Sequence, residues 1–253
     1  MMKKIALNIL VLVMMMPSVR AMAEGFGVDM SLKTRAGYSI GASSPYGMPA
    51  AIVGIEAFRM TPSFRVGVDV AKPVDTQWAV SMGFFVENKT MDVSVRTKGY
   101  HMEMRRGAEG LEGVFTGHVS QQISMLVLTL PVCATFSVST EVNLRAGVYG
   151  SLLMNGKFSG TASDGYIRRG GPTGPKIIIG DTPETKATYD FSDDMRKLQA
   201  GATVGVDWIP WSRLGFSLDL TVGFTGIFKS DFKTVEQALY PIYGTIGVFY
   251  KIL

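Results

Sequence analysis

The chain has 253 residues, of which 47% are hydrophobic and 18% charged, with a formal net charge of +4. That length accommodates one large domain or two small ones. The basic residues are scattered and do not form one stripe, so the small positive balance does not indicate a nucleic-acid-binding protein. A single cysteine, Cys133, excludes an internal disulfide framework, and its apolar surroundings favour a packing role.

The first 23 residues have the pattern of a cleavable signal peptide. Lys3 and Lys4 form a short basic region, an apolar run follows over residues 5–16, and the small-x-small site at Ala21-Met22-Ala23 precedes Glu24. The apolar run is too short to span a bilayer comfortably as a permanent helix, which disfavours the alternative of an N-terminal anchor. We therefore expect an exported protein with a mature domain over residues 24–253 and no transmembrane helix within it.

Eight segments of the mature chain alternate between apolar and non-apolar residues, which is typical of strands with one face in apolar surroundings. The segments span residues 26–40, 64–70, 78–87, 123–136, 142–152, 198–208, 214–225 and 245–252. Phe85 and Phe249 are exceptions, because they fall on the otherwise non-apolar face. The segment 123–136 is apolar on both faces near its start. The even number of segments suits a closed antiparallel barrel.

The composition of the second face separates a barrel from a soluble sandwich. A sandwich would carry dense Lys and Glu on its solvent face, whereas these segments carry glycines, hydroxyls and isolated charges of both signs, as a narrow interior requires. Connections near 74–77, 139–141 and 210–213 are tight, and those over 41–63, 96–122, 159–197 and 229–241 are long. We therefore predict an all-β fold, a transmembrane antiparallel up-and-down barrel of eight strands with short periplasmic turns, long outer loops and both termini periplasmic. Candidates for interfacial aromatic girdles are Trp78, Trp208, Trp211, Tyr243 and Tyr250.

Charged side chains of both signs fall on the predicted inner face. The predicted lumen ion cluster consists of Asp29, Lys33, Arg35, Arg65, Asp69, Glu87, Arg145, Asp207, Asp219 and Lys251. Unpaired charges in so narrow a space would cost several kcal/mol each, so we expect them to pair and fill the lumen. A charged permeation path is the alternative, and it would need a wider barrel.

Several short motifs resemble landmarks of the PorT-type outer-membrane β-barrel family of Bacteroidota. They are Leu130-Pro131, Gly147-Val148-Tyr149, Asp164-Gly165-Tyr166-Ile167-Arg168, Pro172-Thr173-Gly174, Asp190-Phe191-Ser192 and Pro241-Ile242-Tyr243-Gly244. The resemblance covers nearly the whole mature chain, and it implies an eight-stranded outer-membrane barrel. It further implies an association with protein maturation and export by the type IX secretion route. The candidate outer-loop motif on which it rests most is Asp164, Gly165, Tyr166, Arg168, Asp190 and Phe191.

The residues do not indicate an enzyme. The only histidines, His101 and His118, lie in one predicted loop without the three-ligand spacing of a zinc site. We expect no catalytic residues, cofactor or metal, and we expect outer-membrane lipid and protein partners of an export machine as the interacting species. Two alternatives stay open: an enzyme acting on lipid or peptide at the barrel rim, and a small-solute channel. The first depends on whether either histidine lies within hydrogen-bond reach of a serine or carboxylate.

Overall fold

The computed structural model describes residues 30–47, 50–59, 61, 63–107, 109–232, 234 and 238–252. The predicted signal peptide and the start of the first predicted strand, residues 26–29, lie outside them. The strands are β1 (Ser31–Ser44), β2 (Ile52–Arg59), β3 (Ser63–Pro73), β4 (Trp78–Arg106), β5 (Glu109–Ser137), β6 (Val142–Arg169), β7 (Lys176–Ile179), β8 (Ala187–Asp190), β9 (Leu198–Trp208), β10 (Leu214–Gly223) and β11 (Tyr240–Lys251). A short 3-10 turn spans Ser192–Asp194.

Eight of these strands form a closed antiparallel ring. Around the ring the order is β1, β3, β4, β5, β6, β9, β10 and β11, and β11 pairs back with β1 from Lys33↔Lys251 to Ser44↔Tyr240. Ring neighbours follow one another along the chain, so the ring is an up-and-down barrel without a free edge. The predicted fold is confirmed.

The two faces of the ring differ as the alternation predicts. Val204, Leu218 and Ile246 point outward and are 50%, 56% and 64% exposed, whereas Thr203 and Asp219 on the other face are 4% exposed each. An outward apolar band of this kind is what a lipid bilayer requires. No helix among the described residues is long and apolar enough to cross a membrane.

Large aromatic side chains lie at the end of the ring that carries the short turns. Trp78, Trp208, Trp211 and Tyr250 are all exposed there. The prediction for the fifth girdle candidate, Tyr243, is wrong: it lies near the start of β11, and its side chain points inward and is only 1% exposed. Tyr243 was chosen because it lies near the end of a predicted segment. Side chains alternate between the two faces of a strand, and its position places it on the inner face.

The short turns are confirmed, but the predicted long loops are largely strand. β4 and β5 remain paired from Trp78↔Phe136 to Arg106↔Glu109, so residues 96–122 form the far part of an extended hairpin. β6 continues to Arg169, residues 159–197 also contain β7 and β8, and residues 41–63 contain β2. Cross-strand pairing satisfies the backbone hydrogen bonds of these segments, as an ordered extension beyond the ring requires.

Beyond the ring, the extended strands continue the same sheet, and we call this part the distal sheet. It consists of residues 91–106 of β4, 109–124 of β5 and 155–169 of β6, together with β2, β7 and β8. β2 pairs with β4, β7 with β6, and β8 with both β6 and Arg105 of β4. The three long strands β4, β5 and β6 therefore run continuously from the ring into the distal sheet.

One face of the distal sheet covers an apolar core. Its buried members include Met91, Met102, Met104, Leu111, Phe115, Val119, Ile123, Met125, Phe158, Ala162, Ile167, Ile179, Ala187, Tyr189, Met195, Ile227 and Phe228. Burial of each large apolar side chain contributes about 1.5–3 kcal/mol, so this core stabilises the distal sheet. It also lies directly beyond the charged part of the ring interior, because Met91 follows Lys89 on the inner face of β4.

Candidate functional site

The charged side chains on the inner face meet across the ring. Arg35 on β1 donates to both carboxylate oxygens of Asp207 on β9, at 2.8 and 2.7 Å, although two strands separate β1 from β9 around the wall. Arg35 also donates to Asp69 on the neighbouring β3. A contact between strands that are not neighbours can form only through the interior, so these groups occupy the lumen.

Asp207 is the centre of this arrangement. Its side chain is fully buried and also faces Arg145 of β6 at 2.9 Å and Lys33 of β1 at 3.4 Å. Three cations from two non-adjacent strands therefore share one carboxylate. Charge-assisted hydrogen bonds of this kind are stronger than neutral ones and compensate part of the desolvation of the groups.

A second group of ion pairs continues from the first. Arg145 donates to Asp219 of β10 at 2.7 Å, and Arg65 of β3 reaches the other oxygen of Asp219 at 3.8 Å. Arg65 Nε also lies 3.1 Å from Glu87 Oε1 on β4, and Lys89 Nζ lies 2.8 Å from Glu87 Oε2. The two groups thus form one network that links six of the eight ring strands.

The two phenylalanines that break the alternation serve this network. Phe85 packs under the Arg65 guanidinium, whose central carbon lies 4.0 Å from the ring centroid. Phe249 faces Arg35 at 4.8 Å and Lys33 at 5.1 Å. An aromatic face attracts a cation, most strongly where water is excluded, so these positions on the inner face are explained.

The structure changes the membership of the predicted lumen ion cluster. Asp29 lies outside the described residues, and Lys251, although it pairs with Lys33 in the strand register, is exposed at the end of the ring. Lys89 belongs to the cluster but was not predicted. The remaining eight predicted residues are brought together in the network.

The predicted outer-loop motif does not form one site. Gly165, Tyr166 and Arg168 lie on the last part of β6, where it pairs with β7, and Asp164 directly precedes them with a φ of 48°. Asp190 instead ends β8, opposite Ser159, and Phe191 follows it. The motif is therefore split between two places on the distal sheet.

Asp190 is held by a local contact. Its carboxylate accepts hydrogen bonds from the Ser192 hydroxyl at 2.5 Å and from the Ser192 N–H at 3.0 Å. The hydroxyl first, and the N–H second, lower the pKa of this carboxyl below its usual range. Asp190 is thus a carboxylate with a fixed orientation at the border of a cleft.

That cleft has a volume of about 970 Å³ and lies against the distal sheet. Two register rows on one face of the sheet border it. The first row is Ser94, Ser120, Thr161 and Thr188, and the second row is Asp92, Gln122, Ser159 and Asp190. Residues of the apolar core alternate with these rows along the strands, so the side chains of the two rows point away from the core. At its β8 end the cleft also reaches the border of the core, where Met104 and Tyr189 line it.

The two histidines differ in their surroundings. His101 lies 3.8 Å from exposed Glu112, whereas His118 Nδ1 lies 2.5 Å from Glu56 of β2. His118 thereby meets the geometric condition set for a rim enzyme. Its other ring nitrogen, however, lies 3.0 Å from Arg96 Nη2, at the place where a serine triad would hold its nucleophile. Arg96 also binds Glu56, so the three side chains act as a clamp between β2 and the sheet.

Comparison of the sequence with family models supplies the assignment of the chain. A model described as an outer membrane protein beta-barrel domain matches residues 28–229. The chain belongs to this family. It is therefore an outer-membrane β-barrel protein, in agreement with the closed ring and its apolar outer band. A comparison with curated proteins finds no match.

Several solved structures are similar to this outer-membrane barrel. Ail, the attachment invasion locus protein of Yersinia pestis, is 8% identical with a TM-score of 0.40, covering 88% of this chain and 99% of Ail. Neisserial surface protein A is 11% identical with a TM-score of 0.38, covering 88% and 97%. OprG from Pseudomonas aeruginosa is 9% identical with a TM-score of 0.31, covering 89% and 96%.

Two features of this outer-membrane barrel, Lys89 in the ion cluster and the cleft, were not predicted from the sequence. Lys89 lies two residues beyond Glu87, where the predicted strand stopped, and continuing the alternation would have found it. The cleft had no local signal, because its rows combine residues from β4, β5, β6 and β8 that are far apart in sequence. Pairing registers bring them together, and a single sequence does not specify those registers.

Proposed function

We propose that this protein is a non-conducting, non-enzymatic outer-membrane barrel that acts as a binding component through its distal sheet. The observation that carries the first part is the contact of Asp207 with Arg35, Arg145 and Lys33, which ties opposite walls of the ring together. The binding role rests on the size and order of the distal sheet, because closing the barrel in the membrane does not require such an extension.

The ring and the distal core together support a closed lumen. Eight strands leave an interior just wide enough for side chains, and here charged and aromatic side chains occupy it. Beyond Lys89 the inner face becomes apolar, with Met91, Met125 and Ile123 buried. An ion entering the ring would have to displace the network and then pass an apolar layer, and both steps are costly.

The proposed orientation places the short turns and both termini in the periplasm and the distal sheet outside the cell. The support is the asymmetry of the two ends: tight turns at one end of the ring, and strands extended well beyond it at the other, as in bacterial outer-membrane barrels. We also propose that the segment over residues 1–23 is removed after export. N-terminal sequencing of the purified protein should find Glu24 first.

An export-assisting role, of the kind associated with PorT-type proteins, is part of this proposal and rests on the sequence resemblance alone. Deletion of the gene should then leave type IX substrates inside the cell. Normal release of those substrates by the deletion strain would contradict the role, and it would leave the binding function unaffected.

The closed lumen is tested by single-channel recording in planar bilayers. The full protein should show no steady currents, because both the ion network and the apolar layer obstruct the path. Asp207→Asn should stay silent as well, since the apolar layer is unchanged. Large, steady currents from the wild type would refute the proposal in favour of a small-solute channel.

A further inference from the structure

We propose that the cleft of the distal sheet binds a short, uncharged oligosaccharide. This inference deepens the proposed function, on which it rests, by naming a class of ligand for the outward part of the protein. It is carried by the composition of the cleft wall, the aromatic side chains at one end of it, and the distribution of charge around it.

The first row presents a hydroxyl on each of four neighbouring strands. Ser94 and Ser120 lie with their oxygens 2.9 Å apart, and Thr161 and Thr188 continue the row on β6 and β8. Adjacent strands are about 4.8 Å apart, so the row extends for about 14 Å. A hydroxyl can both donate and accept, and a row of them matches a ligand whose own hydroxyls do the same along its length.

The second row adds amide and carboxylate groups on the same face of the sheet. It contains Gln122 and Ser159 between Asp92 and Asp190, two residues along each strand from the first row. Asp190 is already oriented by Ser192. Oriented carboxylates accept from hydroxyl donors, and the amide of Gln122 offers both functions.

Aromatic rings form the wall at the β8 end of the cleft. The wall consists mainly of the partly buried rings of Phe191 and Phe232, whose centroids lie 5.1 Å apart. Phe191 in turn lies 5.3 Å from Tyr189, a buried core residue that reaches the border of the cleft. The face of an aromatic ring carries partial negative charge and attracts polarised C–H groups. A sugar ring presents such C–H groups on its faces and hydroxyls at its edge, so it can use both kinds of wall at once.

The charges around the cleft do not select an ionic ligand. Basic residues Arg59, Arg105 and Lys157 and acidic residues Asp92, Glu103, Asp190 and Asp194 all border it. A phosphate or sulfate site would instead gather arginines without carboxylates. The volume of about 970 Å³ lies at the upper end of the range of about 300–1,000 Å³ for ligand sites.

The test uses the full protein in detergent micelles on an array of neutral oligosaccharides. Sulfated glycans, phosphorylated glycans and acidic peptides on the same array identify the competing ligand classes. The affinity of the strongest neutral ligand is then measured by calorimetry for the wild type and for Phe191→Ala and the double variant Thr161→Val/Thr188→Val. Valine keeps the branched shape of threonine in a strand and replaces the hydroxyl by a methyl group.

We expect at least one neutral oligosaccharide to bind, and the double variant to weaken its binding about tenfold or more, as the loss of two hydrogen bonds implies. Thr173→Val, in the exposed turn after β6, is the matched control and should bind as the wild type does. Binding that the cleft variants leave unchanged, binding of acidic peptides or anionic glycans only, or no binding at all would overturn the proposal.

Two further measurements separate this inference from the proposed function. A difference in gel migration between unboiled and boiled samples reports whether each variant is folded, so a folding defect is not read as lost affinity. Bilayer recording of the same preparations reports the lumen. A conducting wild type that binds oligosaccharide would refute only the closed lumen, and a silent wild type that binds none would refute only the ligand assignment.

Discussion

Replacing Asp207 by asparagine tests the interior network at its centre. The substitution keeps the shape and one acceptor oxygen, but it removes the negative charge that Lys33, Arg35 and Arg145 share. Removing one partner of a buried ion pair costs about 3–5 kcal/mol, because the other charge stays buried without compensation. The retained acceptor places the expected loss of unfolding free energy near the lower limit, at about 3 kcal/mol.

Urea unfolding in liposomes measures this loss. With a slope of about 1–3 kcal/mol per molar urea, the midpoint should fall by about 1–3 M. Asp181→Asn, in the exposed turn between β7 and β8, is the control and should leave the midpoint unchanged. Equal midpoints for both variants would show that the ion pairs do not stabilise the ring, and the reasoning would fail.

Three further predictions concern other parts of the molecule. Leu218→Arg, on the outward face, should cost about 2–4 kcal/mol in lipid, and Thr173→Arg in an exposed turn almost nothing; equal folded yields would contradict the face assignment. Ser192→Ala should raise the pKa of the Asp190 carboxyl towards its ordinary value in an NMR titration, because the hydroxyl that lowers this pKa is lost. In the wild type the contact stabilises the fold only while the carboxyl is ionised. Its contribution therefore disappears as the pH falls through the folded-state pKa. Glu56→Gln should weaken the clamp on β2 and speed amide hydrogen exchange there, and unchanged exchange would argue against the clamp.

The ring could be predicted from the sequence because the bilayer imposes one rule on every ring strand. Lipid on one side and a narrow interior on the other make the alternation strict, as in Phe216 and Leu218 against Ser217 and Asp219. Eight such segments and the tight turns between them were sufficient to count the strands and assign their faces. The inner charges followed from the same rule.

The distal sheet could not be predicted in the same way, because the rule changes beyond the ring. The inner face turns from charged to apolar between Lys89 and Met91, and a bulge between Thr97 and Tyr100 then shifts the alternation on β4. Gly99 at this bulge has a φ of 71°, which favours glycine. β7 and β8 have four residues each, too few for a periodic signal.

The segment 123–136, which is apolar on both faces near its start, lies where the ring passes into the distal sheet. On β5, Leu128 and Leu130 belong to the outward apolar band, whereas Ile123, Met125 and Val127 point into the distal core. A strand that leaves a bilayer and continues over an apolar core exchanges an apolar outer face for an apolar inner one, and on β5 both faces are apolar over a few residues. The double-sided stretch is therefore the sequence signal of the limit of the membrane on the side of the distal sheet. Because the polar rows of the cleft lie beyond it on the same face as the apolar band, a single face of β5 is apolar on one side of this limit and carries the polar cleft wall on the other.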